Sequence, residues 1–232
     1  MAAMAYQQRR DAIETYFDRT AVEAWTRLTS DAPVGRIRAT VRAGRDRMRA
    51  LLLSRLPADL SGRRLLDAGC GTGALAVEAA RRGAEVVAVD LSPQLIRLAQ
   101  ERAPQEFAAG RLTFRTGDMT AEDLGRFDHV VAMDSLIHYD LPDGVRMVER
   151  LAARADRSLL FTFAPRTPLL ALMHGVGRFF PRGDRSPALV PVREAELRRH
   201  VAADPALAGW RFAWTERVAS GFYTSQAVEL VR

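Results

Sequence analysis

The sequence predicts an α/β fold, a mostly parallel sheet of seven strands with helices on both faces and a closing antiparallel hairpin. Three observations predict it. Short, nearly continuous apolar runs alternate with helical stretches from Arg64 to Phe163, as strands buried on both faces require. A glycine turn, Gly69-Cys70-Gly71-Thr72-Gly73, joins the first of those strands to the first helix after it. Near the C-terminus two strand-like runs are separated only by Ala219-Ser220-Gly221, a joint short enough for a hairpin.

The elements follow in order. Residues 1–30 read as an amphipathic helix with Tyr6, Ile13, Tyr16, Phe17, Trp25 and Leu28 as its apolar points, and Ser30-Asp31-Ala32-Pro33 breaks it. A second helix is predicted over Arg36–Leu56, with Ile37, Val41, Met48 and Leu52 on one stripe. Arg38, Arg42, Arg45 and Arg49 form a neighbouring stripe, which reads either as a solvated face or as an anion-binding face over a pocket. Gly44 interrupts this helix at a cost of roughly 1 kcal/mol relative to Ala, a sign that something packs closely against it. Strands are expected at Arg64–Ala68, Glu85–Val89, Arg111–Arg115, Phe127–Met133 and Ser158–Phe163. Helices are expected at Gly73–Arg82, Gln94–Ala103 (opened by Ser92-Pro93) and Asp143–Ala155. Pro165, Pro168, Pro181, Pro187 and Pro191 then enclose an apolar patch from Leu169 to Phe180. Helix resumes at Glu194–Val201, and Arg211–Val218 and Phe222–Val231 are the hairpin strands. The expected organisation is an N-terminal helical arm or lid at 1–56, and an α/β domain at 57–232 with a substrate-facing insertion at about 165–191.

Composition narrows the function. The 232 residues can bury a full core, and no run of 18 apolar residues suggests a membrane span. Residues 1–10 carry no apolar secretory core, and the single cysteine, Cys70, supports neither a disulfide framework nor a CxxC metal site. A reducing, cytoplasmic setting is expected. All 34 basic residues are arginine, and the net charge is +6. Residues 1–64 hold 13 Arg against 7 acids, which accounts for the whole excess; the remainder balances 21 Arg with 21 acids. No nucleic-acid role is therefore expected, whereas the arginine-rich arm can meet an acidic lipid surface.

Ligands of such sheets bind outside the carboxyl ends of the strands. Asp67 stands two residues before G-x-G-x-G, Asp90 closes the second strand 21 residues after Gly69, and Asp118 closes the third. An acid at the second position suits ribose hydroxyls, and one at the third suits an exocyclic amine. The dinucleotide fingerprint G-x-G-x-x-A also fits Gly69, Gly71 and Ala74, but a dinucleotide domain needs two mononucleotide halves and no terminal hairpin. The pattern is typical of the Rossmann-like class I methyltransferases, so S-adenosylmethionine (SAM) is the expected cofactor. Its candidate contacts are Asp67, Gly69, Cys70, Gly71, Gly73, Asp90, Leu91, Asp118, Met119, Met133, Asp134 and Ser135.

The acceptor is suggested by other segments. Tyr16-Phe17-Asp18-Arg19-Thr20, Trp25, Val41 to Arg45, Leu65 to Gly73, Asp134-Ser135-Leu136-Ile137-His138-Tyr139, Thr162-Phe163-Ala164-Pro165, Phe180-Pro181-Arg182 and Ser220 to Tyr223 together resemble the magnesium-protoporphyrin IX O-methyltransferases of chlorophyll and bacteriochlorophyll synthesis. The resemblance implies methyl transfer from SAM to one propionate carboxylate of the Mg-porphyrin, with the magnesium belonging to the substrate and no metal held by the protein. It also implies contact with the large subunit of magnesium chelatase. A quinone or another small molecule is the alternative acceptor. His138 and Tyr139 are the candidate catalytic residues, His138 either hydrogen-bonding the propionate or approaching the magnesium. Tyr16, Arg38, Arg42, Met173, His174 and Phe179 are the candidate substrate contacts. His129 reads as structural and His200 as a surface residue.

Overall fold

The computed structural model describes residues 35–166 and 189–232. The expected helix over 1–30 and the apolar insertion between Leu169 and Phe180 lie outside them, with Tyr16, Met173, His174 and Phe179. The described elements are α1 (Arg36–Ser54), β1 (Arg64–Ala68), α2 (Ala74–Arg81), β2 (Glu85–Asp90), α3 (Pro93–Arg102), β3 (Arg111–Thr116), β4 (Phe127–Ala132), α4 (Leu141–Ala152), β5 (Ala155–Phe163), α5 (Glu194–Ala203), β6 (Arg211–Ser220) and β7 (Tyr223–Val231). Two single-turn 3-10 helices, Glu122–Leu124 and Pro205–Leu207, were not legible in the pattern.

The seven strands form one sheet in the order β3-β2-β1-β4-β5-β7-β6. The first five are parallel, and β7 runs antiparallel to both β5 and β6. Successive strand residues face opposite sides, so the doubled apolar residues divide between two cores. Leu66, Val130 and Leu159 enter the core covered by α4 and α5, while Leu65, Val131 and Leu160 enter the one covered by α1 and α2.

Several boundaries differ from expectation for local reasons. The helix expected from Asp143 starts at Leu141, because the Asp140 side chain accepts the Asp143 N–H (3.0 Å) and Pro142 occupies the first turn. It stops at Ala152, and Ala155 instead pairs with Phe127 as the first residue of β5. Strand β6 continues to Ser220, which pairs with Tyr223, so the hairpin turns on Gly221-Phe222 alone. The start expected at Ser92-Pro93 holds: Ser92 accepts from the Leu95 N–H at 3.2 Å.

Helix α1 runs down the sheet from its carboxyl edge. Near its start Thr40 sits against Gly221 of the hairpin turn, one turn later Gly44 meets Tyr223, and past its end Arg55 pairs with Glu229 at 2.7 Å. The lower half, with Met48, Leu52 and Leu53, is buried in the core; the first turns are exposed. Gly44 explains itself here. A Cβ at this position would lie 2.5–2.8 Å from Cδ1, Cγ and Cβ of Tyr223. Because the clash reaches the Tyr223 Cβ, ring rotation cannot relieve it. In Gly44→Ala the overpacking outweighs the roughly 1 kcal/mol gained in helix propensity. The variant should lose about 1–3 kcal/mol of stability in chemical denaturation; equal or higher stability would show that the contact yields.

Candidate active site

The site is assembled at the carboxyl edge of β1, β2, β3 and β4 from loops that each strand end dictates. At β1 the chain reverses through Gly69, Gly71 and Gly73, all at positive φ (78°, 54° and 75°). Glycine is needed for more than conformation. A Cβ on Gly69 would fall 2.5 Å from the Ser135 Cβ, and one on Gly73 would fall 2.6 Å from the Phe114 ring. The turn thus has a bare backbone floor facing the loop after β4. The amides of Gly69 and Cys70 both donate to the Val89 carbonyl, at 2.8 and 3.0 Å, which ties the turn to β2.

Asp67 is buried beneath this turn. Its Oδ2 accepts the Ala76 N–H at 3.1 Å, an unpaired donor of the first turn of α2, whose cap residue Gly73 has no side chain to do so. Burial raises its carboxyl to about 7; the Ala76 bond opposes that shift and the nearby Asp90 charge adds to it. Asp90 closes β2 half-buried, its Oδ2 accepting from the Gly71 N–H (2.8 Å) and its Oδ1 from the Ser92 N–H (3.0 Å). Burial pushes its carboxyl up as well, opposed by those amides. Each carboxylate oxygen carries a second lone pair, so Asp90 can brace the glycine turn and still accept from a diol. Cys70 is half-buried in the turn, its thiol pushed up by burial and by the charges of Asp67 and Asp90. It is no thiolate nucleophile. Leu91 follows Asp90, also half-buried.

At β3, Asp118 Oδ1 accepts from both the amide (2.8 Å) and the hydroxyl (2.7 Å) of Thr120, and Met119 is buried beside it. At β4 the chain passes through Met133, Asp134 and Ser135 to His138 and Tyr139, which are 7% and 4% exposed. The Ser135 hydroxyl is buried over Gly69 and has no hydrogen-bond partner among the described residues. The same loop fastens the chain that leaves the insertion. The Ile137 carbonyl accepts from the Val190 amide at 2.9 Å, and Ala164 and Arg166 bond Val192. Both stems of the insertion therefore stand beside His138.

The Asp134 side chain is turned toward partners within the protein. Expected as a cofactor contact, its carboxylate accepts from Arg45 Nη1 (2.8 Å), Thr162 Oγ1 (3.1 Å), Ser225 Oγ (3.0 Å) and the Tyr223 hydroxyl (3.1 Å to each oxygen). It sits at φ 53°, a non-glycine residue in the left-handed region. Burial and the Asp134 charge push the Tyr223 phenol up, so it stays a neutral donor. Arg45, on the stripe read either as a solvated face or as an anion-binding face, thus forms an internal ion pair, and Arg49 pairs with Asp46 at 2.9 Å. Arg38 is exposed and Arg42 half-buried, about two turns and one turn nearer the helix start than Arg45. Neither Tyr223 nor Ser225 carried a role in the sequence reading, and Gly44, beside Arg45, was the signal that something packs there.

His129 lies on β4 away from the turn, buried, with Nδ1 2.7 Å from the Ser158 hydroxyl, and burial lowers its pKa. His200 is exposed on α5. Among the described residues no group of three or more His, Cys, Asp or Glu side chains is placed to hold a metal ion.

A bare glycine floor, one buried and one half-buried acid at adjacent strand ends and an unsatisfied hydroxyl above the turn fit a neutral-to-cationic nucleoside ligand such as SAM. They offer no cluster of donors for phosphate.

The chain is similar to known proteins over most of its length. A family model described as "Magnesium-protoporphyrin IX methyltransferase C-terminus" matches residues 132–232, and a general "Methyltransferase domain" model matches residues 65–156. The chain is 50% identical to a magnesium-protoporphyrin O-methyltransferase of Rhodobacter capsulatus over 97% of each chain. It is similar to the crystal structure of the magnesium protoporphyrin IX methyltransferase of Synechocystis with bound SAH, at 32% identity and a TM-score of 0.80 over 96% of this chain and 99% of that one. A ubiquinone biosynthesis O-methyltransferase of Xanthomonas oryzae is 36% identical, over 54% of this chain and 55% of its own.

The raised Asp67 carboxyl has a consequence for stability. Between the ordinary carboxylate value near 4 and about 7, the folded state holds a proton that the unfolded state has released. Stability from this group therefore falls as pH rises through that window, by about 1.4 kcal/mol per pH unit at most. Urea denaturation of ligand-free protein should show Asp67→Asn gaining on the parent chain between pH 4 and 7 and holding level above it. A constant difference across that range would return Asp67 to an ordinary carboxylate.

Proposed function

The chain belongs to the magnesium-protoporphyrin IX O-methyltransferase family, and we propose that it transfers a methyl group from SAM to a propionate carboxylate of magnesium-protoporphyrin IX, giving the monomethyl ester. The near-full-length likeness to Mg-protoporphyrin methyltransferases carries the reading. The quinone methyltransferase likeness covers only about half of the chain.

SAM supplies an electrophilic methyl on a sulfonium; as the O–CH3 bond forms and the S–CH3 bond breaks, carboxylate and sulfonium both become neutral. The protein's own part follows from that balance. A propionate is ionised at pH 7, so no strong base is required, unlike for a phenol. What remains is to align oxygen, methyl and sulfur and to exclude water, since reactants that lose charge are favoured in a dry site. We assign the donor side to the glycine turn, to Asp90 and Asp118 for the ribose and the base, and to Ser135. Asp67, which braces the start of α2, shapes that turn from below. We assign the acceptor side to His138 and Tyr139, beside the stems of the insertion, with the imidazole donating to the propionate. Arg38 and Arg42, at the upper end of α1, suit the second carboxylate of the acceptor. Tyr16, Met173, His174 and Phe179 complete the proposed acceptor pocket by sequence position alone.

Contact with a membrane surface rests on the arginine excess of residues 1–64 and on the exposed Ile37 and Phe222 at the same rim as Arg36 and Arg38. No described helix is long and apolar enough to cross a membrane. Contact with the large subunit of magnesium chelatase rests on the family resemblance.

Incubation with methyl-labelled SAM and Mg-protoporphyrin IX should place label on the porphyrin as a base-hydrolysable ester. Unlabelled porphyrin at saturating concentrations of both substrates would overturn the assignment. His138→Ala should lower kcat by about 100-fold, the scale of a positioned acid–base or orienting group, and leave SAM affinity within a few-fold. Matching losses in turnover and SAM affinity would make His138 a structural residue.

A further inference from the structure

We propose that Asp134 is a positioning residue, joining helix α1 to the loop 133–139, which carries Ser135 on the donor side and His138 on the acceptor side, so that the two halves of the active site keep one register. The inference rests on the methyltransferase reading above and adds to it a residue that need touch neither substrate.

Asp134 belongs to the loop and reaches the helix in space. Toward the acceptor side its carboxylate holds Arg45, which stands on α1 below Arg42 and Arg38. It also holds Tyr223, whose ring fills the notch left by Gly44 on the same helix. Helix α1 is thus gripped at consecutive residues, by charge at 45 and by shape at 44. Toward the donor side the Asp134 amide donates to Thr162 Oγ1 at 2.7 Å, and Thr162 returns its proton to Oδ1. That exchange holds the backbone at φ 53°, and the very next residue is Ser135, packed over Gly69. A left-handed residue reverses the direction of the chain, and Asp tolerates the conformation better than most side chains. A shift of the carboxylate therefore moves both its neighbours. The side chain is 4% exposed, so a carboxylate deprived of Arg45 has no water to turn to.

The test uses the full chain and four variants. Asp134→Asn keeps size and φ tolerance but removes the charge that pairs with Arg45 and replaces one accepting oxygen by an amide NH2. Arg45→Met removes the charge, Arg45→Lys keeps it, and Tyr223→Phe removes one hydroxyl. KM and kcat are measured for Mg-protoporphyrin IX, affinity for S-adenosylhomocysteine by calorimetry, and amide exchange in 36–49 and 133–139. Asp134→Asn and Arg45→Met should each raise the porphyrin KM roughly tenfold or more, given how steeply misplacement is felt in aligned transfers. Affinity for S-adenosylhomocysteine should stay within threefold, and exchange should quicken in both segments together. Arg45→Lys should recover most of the KM. The double variant Asp134→Asn/Arg45→Met should be no worse than the poorer single one, because both remove one interaction.

Loss of S-adenosylhomocysteine affinity by the same factor as KM would make Asp134 a donor contact and overturn the proposal. So would quickened exchange in one segment only, or kinetic constants unchanged in both single variants. Should Asp134→Asn fail to fold, Arg45→Met and Tyr223→Phe, which leave the carboxylate its remaining donors, carry the same comparison. If the parent chain methylates no Mg-protoporphyrin, the functional reading fails, and the paired exchange response still decides the role of Asp134.

Discussion

The Arg45–Asp134 ion pair is the interaction on which the upper half of this molecule depends. It is buried on the Asp134 side, and removing one member of such a pair costs about 3–5 kcal/mol because the other charge is left without a partner. Its neighbours are arranged to prevent that. Thr162 on β5, Tyr223 and Ser225 on β7 and Arg45 on α1 all direct a donor at one carboxylate. The carboxyl edge of the sheet, the antiparallel hairpin and the helix over it therefore meet at one residue. Below that point α1 is held by ordinary apolar burial of Met48, Leu52 and Leu53. The upper part of the helix relies on polar anchoring instead, with Arg38 exposed and Arg42 half-buried at the rim.

The acids at the neighbouring strand ends divide their labour differently. Asp67 is buried and serves the first turn of α2. Asp90 holds the glycine turn by an amide at each oxygen, which sets the turn against β2. Both carboxyls are raised by burial, so the turn is braced by groups whose charge the fold itself penalises. A cationic ligand above the turn would relieve that penalty, a physical reason for a sulfonium to be favoured there over a phosphate. The chemistry proposed for the acceptor needs little more. An ionised carboxylate meeting a methyl sulfonium asks for alignment and dryness, and the demands on His138 are those of orientation.

Much of the fold was legible because its signals are local. Burial on both faces forces a strand such as Phe127–Ala132 to end in an unbroken apolar run, Val130 to Ala132, and Ser92-Pro93 carries its own cap and first turn. Boundaries slipped where capping chemistry decided them: Asp140 moved a helix start two residues upstream, and Ala155 joined a strand through its pairing with Phe127. The candidate site was partly legible for the same reason. Glycines at positive φ and acids at strand ends are written in one short stretch each.

The sequence by itself determined the α/β class, the glycine turn and the strand-end acids, because these follow from residue type and short-range spacing. It also marked Gly44 as a close contact, since a glycine in mid-helix has a cost that something must offset. Only the tertiary structure decided what Asp134 does. Its partners Arg45, Thr162, Tyr223 and Ser225 lie 28 to 91 residues away along the chain, on three different elements. No local pattern encodes that meeting. An aspartate after a strand looks the same whether it faces a ligand or an arginine, and the difference lies in which elements the sheet order brings beside it.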